Sequence, residues 1–379
     1  MKFPDKKAKR IWWAATACRI VLAATFIFSG FVKAVDPWGM AIKIGEYFTA
    51  FDMEWLYGTR FIFSIWLNGA EMMMGMMLLF KIRLRLVSVF ASLAMLFFTG
   101  LTLALAIWSP VEDCGCFGEA IKLTNWETFI KNLVLLPMSL FVLWSARKMP
   151  IMPTWRDGGF MLLFASIAFG IGIYSNRHLP LIDFLPYKIG TNLPEEMAKP
   201  SKNDVKTRLI YRNLETGRER EFALEDTEWH DDTKWKFVDT KTVSIRNTVH
   251  PSVRDFAIFD SERFVTDQVL EDPGVVYLIC ASDIGDIRRR CERKLGMAVD
   301  QAVGRGYRVM CLTAGSLNIY PGIMLGGHYV QCYNMDATTI KTMLRAKVGV
   351  VVIRGGTIID KVNCRDMLER GELPDYISY

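Results

Sequence analysis

Cys114 and Cys116 stand one glycine apart in residues 109–120, SPVEDCGCFGEA. A C-x-C pair can close a small, strained disulfide ring, and strained disulfides are the labile ones that exchange with other thiols. Because the thiolate is the reactive form, neighbouring charge matters. Lys33 and Lys131, each near the end of an apolar run, are candidates to stabilise a thiolate, whereas Glu112, Asp113 and Glu119 oppose it. The bland alternative is a disulfide that merely braces the hairpin. Two thiolates without a nearby histidine supply only half the donors of a zinc site, so no metal is assigned. Lipid attachment is a further alternative.

Apolar segments must position these thiols. The 379 residues are 51% hydrophobic, with mean hydropathy +0.19, and nearly all of the excess lies before residue 176. Five runs, at about 11–32, 61–80, 84–108, 126–146 and 159–175, are long enough to cross a bilayer or nearly so. Lipid is therefore the first expected partner. The first run continues past the length of a signal-peptide core without an A-x-A-like site at its far end, which favours an uncleaved anchor. The net charge of +6 could suggest nucleic acid, but the basic residues of the first half cluster beside the apolar runs, so no nucleic-acid partner is expected.

Those basic residues set orientation. Lys2, Lys6, Lys7, Lys9 and Arg10 precede the first run; Lys81, Arg83 and Arg85 follow the second; Arg147, Lys148 and Arg156 follow the fourth. The positive-inside rule puts all three groups in the cytoplasm. Residues 33–60, the CGC hairpin and everything after about residue 176 then lie outside, in a periplasm or its equivalent where disulfides persist.

Polar residues inside the runs call for partners. Arg19 and Glu71 each lie about nine residues from a cytoplasmic end, roughly 13 Å deep. Either charge alone would cost about 2.5–3.5 kcal/mol at the midplane. An Arg19–Glu71 ion pair is expected, with Asn68 completing the hydrogen bonding of Glu71. The pair could lock helix packing or serve a proton or quinone site. Thr124 and Glu127 form a capping box that starts the fourth span directly after the hairpin. All four histidines, His178, His230, His250 and His328, lie outside the spans, so no haem is expected in the bundle. The run EMMMGMM reads as bundle core or lipid-facing surface rather than a copper site, since neither His nor Cys accompanies it.

The remainder is soluble in character. Pro, Lys and Asn in 186–204 suggest a linker. KTRLIYRNLETGREREFAL reads as a hairpin and KWKFVDTKTVSI as a further strand. VVYLIC, a helix over GDIRRRCERKLGMAVDQAV, YRVMCLTA, a helix at TIKTMLR and VGVVVIRGGTIIDKV then alternate as strand, helix, strand, helix and hairpin. Cys280 and Cys311 suit small buried apolar residues. Cys291 could pair with either Cys332 or Cys364.

RIVLAATFIFSGFVKAVDPWG, the intramembrane NGAE, DCGCFGE and TNWETFIKNLVLL together resemble the bacterial DoxX/MauE superfamily over about residues 11–146. The resemblance implies a four-helix membrane bundle in residues 1–150, here followed by a fifth transmembrane helix in 151–180. A linker with a β-rich extension occupies 181–250. An α/β thioredoxin-like soluble domain occupies 251–379, a layout similar to DoxX-family proteins with an appended thioredoxin-like domain. MauE-like proteins are associated with maturation of a disulfide-rich dehydrogenase subunit, and DoxX-like proteins with quinol-oxidising membrane complexes. The hairpin also resembles the outward cysteine loop of vitamin K epoxide reductase-type enzymes. Those enzymes carry a second, membrane-embedded C-x-x-C beside the quinone, where this chain has only Cys18 inside a span.

The terminal domain departs from its own likeness. CASDIGDIRRRC holds no C-x-x-C, and Val348 stands where the cis-proline of a thioredoxin would fall. Two readings follow. In one, an inner-membrane protein supports thiol-disulfide chemistry of an extracytoplasmic client through Cys114 and Cys116, with a quinone as candidate cofactor. In the other, a non-catalytic anchor or assembly factor uses the thioredoxin-like domain to bind a protein partner.

Overall fold

The computed structural model describes residues 6–108, 111, 114–148, 155–198, 205–213, 219–223, 234–244, 253, 256–260, 263–317 and 320–367. Among the described residues, five helices are long and apolar enough to cross a membrane: α1 (Lys6–Val35), α3 (Arg60–Phe80), α4 (Leu84–Trp108), α5 (Asn125–Arg147) and α6 (Trp155–Arg177). Leu93, Leu96 and Phe97 on α4 are each more than half exposed, a surface suited to lipid rather than water. The fifth helix, expected to be short, runs a full 23 residues.

Small residues bring α1 and α3 together. A Cβ at Gly30 would fall 2.5 Å from the backbone nitrogen of Met72, and one at Gly75 would fall 2.6 Å from that of Ile27. Only glycine permits this approach, as in other membrane helix pairs. The two contacts fix an antiparallel register in which residue 30 is level with residue 72.

The stretch between those helices is not an open loop. Its core is α2 (Pro37–Ala50), which starts at Asp36, whose side chain accepts from Gly39 N, and has Pro37 in its first turn. Ala41, Ile44, Gly45 and Phe48 recur at helical spacing and are buried. At 14 residues the helix is too short to cross a bilayer and serves instead as a wall of the bundle.

Residues Met197–His250 form a separate compact unit. Strands β1 (Val205–Asn213), β2 (Glu219–Ala223) and β3 (Trp235–Ser244) make an antiparallel sheet in the order β2-β1-β3.

The C-terminal domain is mixed α/β. Strands β4 (Val275–Ala281), β5 (Arg308–Thr313), β6 (Gly322–Leu325), β7 (His328–Asn334), β8 (Val348–Arg354) and β9 (Thr357–Asn363) form one sheet, in the order β6-β7-β5-β4-β8-β9. Strand β5 runs parallel to β4 and β7, while β8 runs antiparallel to β4 and β9 to β8. Every residue of β4 is buried, which explains its unbroken apolar sequence. Helix α8 (Thr266–Leu270) precedes β4, helices α9 (Ile284–Arg290) and α10 (Glu292–Gly304) connect β4 to β5, and α11 (Ala337–Leu344) precedes β8. Cys291 is bonded to Cys364. Cys280, Cys311 and Cys332 are free and buried, with Cys311 directly opposite Cys332 on neighbouring strands.

Part of the expected linker packs against this domain. Gly190 N donates to Ile358 O at 2.8 Å, Ile358 N donates to Thr191 O at 3.0 Å, and Tyr187 and Leu193 are fully buried. The open edge of β9 thereby gains partners, and α7 (Leu193–Ala198) follows. Arg345 Nε lies 3.0 Å from Asp36 Oδ2, and Asn363 donates to Arg177 O at 3.1 Å. These bonds seat the sheet domain on the end of the bundle where α1 and α6 finish.

Candidate functional site

The CGC hairpin connects α4 to α5 at that same end, outside the spanning helices. Gly115 and Gly118 take φ values of +63° and +53°, the left-handed region that glycine enters without strain, and Gly118 N donates to Gly115 O at 3.0 Å. This turn brings Cys114 Sγ to 2.6 Å from Cys116 Sγ. Ser29 of α1 donates to Cys116 O at 2.5 Å, Tyr47 of α2 donates to Cys114 O at 3.2 Å, and Asn125 donates to Val111 O at 3.1 Å. The capping box at Thr124 and Glu127 is formed in both directions and starts α5. Three helices therefore hold a turn that the chain would otherwise leave mobile.

The hairpin was expected to present its thiols to water. Instead Cys114 is only 6% exposed and Cys116 is half-buried. Both line an apolar cavity of about 330 Å³ walled by α1, α2, α3, α4 and α5. The reason is α2, which lies within the 33–60 stretch that the sequence places outside the membrane. It contributes Met40, Ile44, Tyr47 and Phe48 to the lining.

Lys33, Glu71, Lys131 and Asn132 also line this cavity. Lys131 Nζ lies 4.2 Å from the centroid of the Phe117 ring, and Phe117 meets Phe28 edge to face. The Cys116 thiol is lowered to about 7, first by its hydrogen bond with Cys114 and then, against its burial, by the charges of Lys131 and Lys33. Cys114 moves well up, first through its hydrogen bond with Cys116 and then through burial. The two thiols thus differ, Cys116 being shifted toward the thiolate and Cys114 toward the protonated form. Glu119 pairs with Lys122 at 3.3 Å, while Glu112 and Asp113 lie outside the described residues.

The intramembrane pairing differs from the expected one. Glu71 is paired with Lys33, not Arg19. Arg19 donates to the carbonyls of Leu78 and Leu79 and so caps the last turn of α3, where backbone acceptors lack helical partners. Asn68 does not bond Glu71 either. It donates to Lys33 O at 3.0 Å and to Ser64 Oγ at 3.3 Å, tying α3 to the final turn of α1. The register set by Gly30 and Gly75 separates Arg19 from Glu71 along the bundle axis and brings Lys33 within reach.

The sequence reading missed Ser29 and Tyr47. Ser29 is a single hydroxyl in an apolar run, and Tyr47 became legible only once α2 placed it beside the hairpin.

No curated protein and no solved structure matched the chain. Residues 205–247, which contain β1 to β3, match Domain of unknown function (DUF8463). Residues 11–145, which contain the hairpin and nearly all of α1 through α5, match the family described as Methylamine utilisation protein MauE.

Proposed function

We propose that this multi-pass membrane protein performs thiol-disulfide exchange through Cys114 and Cys116 in support of the maturation of an extracytoplasmic protein. The observation that carries the reading is the pair itself: two sulfurs 2.6 Å apart on one turn, with the Cys116 thiol lowered to about 7 and the Cys114 thiol raised. In the oxidised state, a client thiolate attacks the half-buried Cys116 sulfur, forming a mixed disulfide and releasing Cys114. The second client thiol then attacks the mixed disulfide and leaves as a disulfide, so the pair ends as two thiols. Electrons pass from client dithiol to the pair. The MauE likeness of residues 11–145 is consistent with such a role.

The basic clusters put the N-terminus in the cytoplasm and the hairpin end in the periplasm, where the exchange would occur. The C-terminal domain we read as thioredoxin-like. The order β5-β4-β8-β9, with a parallel pair joined to an antiparallel hairpin, supports that reading. Its role is to hold the client rather than to exchange, since Cys280 is fully buried and Cys291 is tied to Cys364.

Cys114→Ser should stop client oxidation, because Cys116 is left without a disulfide partner; the Cys116 thiolate can then only attack client disulfides, the reverse step, and with no Cys114 to release them reductant-sensitive adducts should accumulate in cells. Cys116→Ser should accumulate none. If the double Cys114→Ser/Cys116→Ser protein, present at normal level, supports the same yield of disulfide-bonded extracytoplasmic proteins as the parent, the exchange reading falls and the anchor reading replaces it.

A further inference from the structure

If the pair oxidises clients, it must itself be reoxidised, and the structure points to where. The two sulfurs face an internal cavity of about 330 Å³, within the size range of small-molecule pockets, whose walls are almost wholly apolar away from the thiols. Phe63 and Phe97 belong both to its lining and to the exposed apolar surface of the spanning helices, at 48% and 64% exposure. The cavity thus meets the surface that faces lipid. Its thiols and charged groups are near one another: Lys33 pairs with Glu71, and the charges of Lys131 and Lys33 reach Cys116. An occupant suited to this shape is apolar over most of its length, enters from the bilayer, and carries at one end a group that accepts two electrons and can take developing negative charge beside an ammonium.

We infer that the cavity binds a membrane quinone and delivers its ring directly to Cys114 and Cys116, with no second cysteine pair in between. The inference rests on the exchange function proposed above and names the oxidant. Cys116 thiolate attacks the quinone ring to form a covalent adduct; Cys114 then attacks Cys116 sulfur, which closes the disulfide and releases quinol. The two thiols lose two electrons and two protons, and the quinone gains both. Lys131, which lines the same cavity as both thiols, supplies the ammonium for the negative charge that develops on the quinone.

The full-length protein in nanodiscs of phosphatidylcholine and phosphatidylglycerol is reduced, freed of reductant under argon and mixed with decylubiquinone. Quinone absorbance and the alkylatable thiols at Cys114 and Cys116 are followed together by spectroscopy and mass spectrometry. One quinol per disulfide formed is expected, with no turnover in Cys116→Ser. Leu101→Trp, which adds bulk to the cavity wall from α4, should slow the reaction about tenfold or more, the scale on which pockets sense size. A parallel arm uses diamide, a water-soluble thiol oxidant. If diamide closes the pair while decylubiquinone leaves both thiols alkylatable, the quinone inference is overturned and the exchange function stands. The cavity then holds no more than a lipid chain. If neither oxidant closes the pair, the exchange function falls and this inference falls with it. Equal quinone reduction by Cys116→Ser would also overturn it, because the electrons would be coming from another thiol.

Discussion

Lys33 and Glu71 form an ion pair between the last turn of α1 and the middle of α3, with side chains only 5% and 9% exposed. Removing one partner of such a buried pair leaves the other charge stranded, at a cost of about 3–5 kcal/mol. Glu71→Gln should therefore lower the melting temperature of the detergent-solubilised protein and its monodisperse yield. The exchanged pair Lys33→Glu/Glu71→Lys should recover part of the loss. The exchange Arg19→Glu/Glu71→Arg should recover none, because Arg19 bonds the Leu78 and Leu79 carbonyls instead. Recovery by the Arg19 exchange but not by the Lys33 exchange would show the opposite pairing.

The reason the sequence misleads here is one of offset. Both charges can be counted inward from a basic cluster, and the counts agree, so a shared depth looks natural. Yet α1 begins at Lys6 and slides past the end of α3 until Gly30 meets Met72 and Gly75 meets Ile27. Glu71 is then level with the residue after Gly30, about three turns or roughly 18 Å from Arg19. Hydropathy reports that a helix spans, and local chemistry reports where it starts, as Thr124 and Glu127 do for α5. Neither reports how far one helix slides along another, which is set by where small residues permit contact. The same limit hid the cavity. The 14 residues of α2 carry clear helical spacing, but a length too short to span makes them read as loop, and without α2 there is no wall to enclose Cys114. The C-terminal strands were legible because β4 and β8 are continuous apolar runs, whereas the β6–β7 hairpin has a half-exposed pattern that stands out less.

Alkylation of Cys116 should follow a titration with its midpoint near pH 7. Because the shift is downward, the reactive thiolate is present above the midpoint and lost as pH falls through it. At pH 7 about half of Cys116 is thiolate, against roughly 3% for a free cysteine with a pKa of about 8.5. Iodoacetamide rates on the reduced protein, read by mass spectrometry from pH 5 to 9, give the midpoint. Cys114→Ala should raise it most, since the hydrogen bond with Cys114 is the largest cause, and Lys131→Met should raise it less. A midpoint in the ordinary thiol range in the parent protein would show that the hairpin does not activate Cys116.

Lys361 is the hub that holds the sheet domain to the chain leaving α6. Its ammonium lies 2.5 Å from Asp183 Oδ2 and 2.9 Å from each of the Tyr187 and Met343 carbonyls, with the side chain 5% exposed. Lys361→Met keeps the volume but leaves two carbonyls and a carboxylate without this donor. The unmet acceptors should cost about 1–3 kcal/mol each before relaxation. Limited proteolysis should then cut residues 178–198 faster than in the parent, while the helices stay protected by detergent. Unchanged cleavage would mean that the packing of Tyr187 and Leu193 alone fixes this segment.

Cys291 and Cys364 lie 73 residues apart and join the start of α10 to the chain after β9. Loop-closure entropy gives such a link a contribution on the order of 4 kcal/mol. Two partners, Cys332 and Cys364, are open to Cys291 from sequence, and the sheet disfavours the first. Cys332 sits on β7 with its side chain opposite Cys311, on the far side of β5 from β4. A non-reducing digest should accordingly yield one peptide containing both Cys291 and Cys364. Cys280 and Cys311 should resist maleimide in the native protein, because burial pushes the Cys280 thiol up and the bond to Cys332, with burial, does the same for Cys311. Reductant should expose Cys291 and Cys364 to the label and lower the melting temperature of the domain, and Cys364→Ser should reproduce that drop. A peptide linking Cys291 to Cys332 would require β7 to leave its place beside β5, and would refute the order of the sheet as well as the pairing.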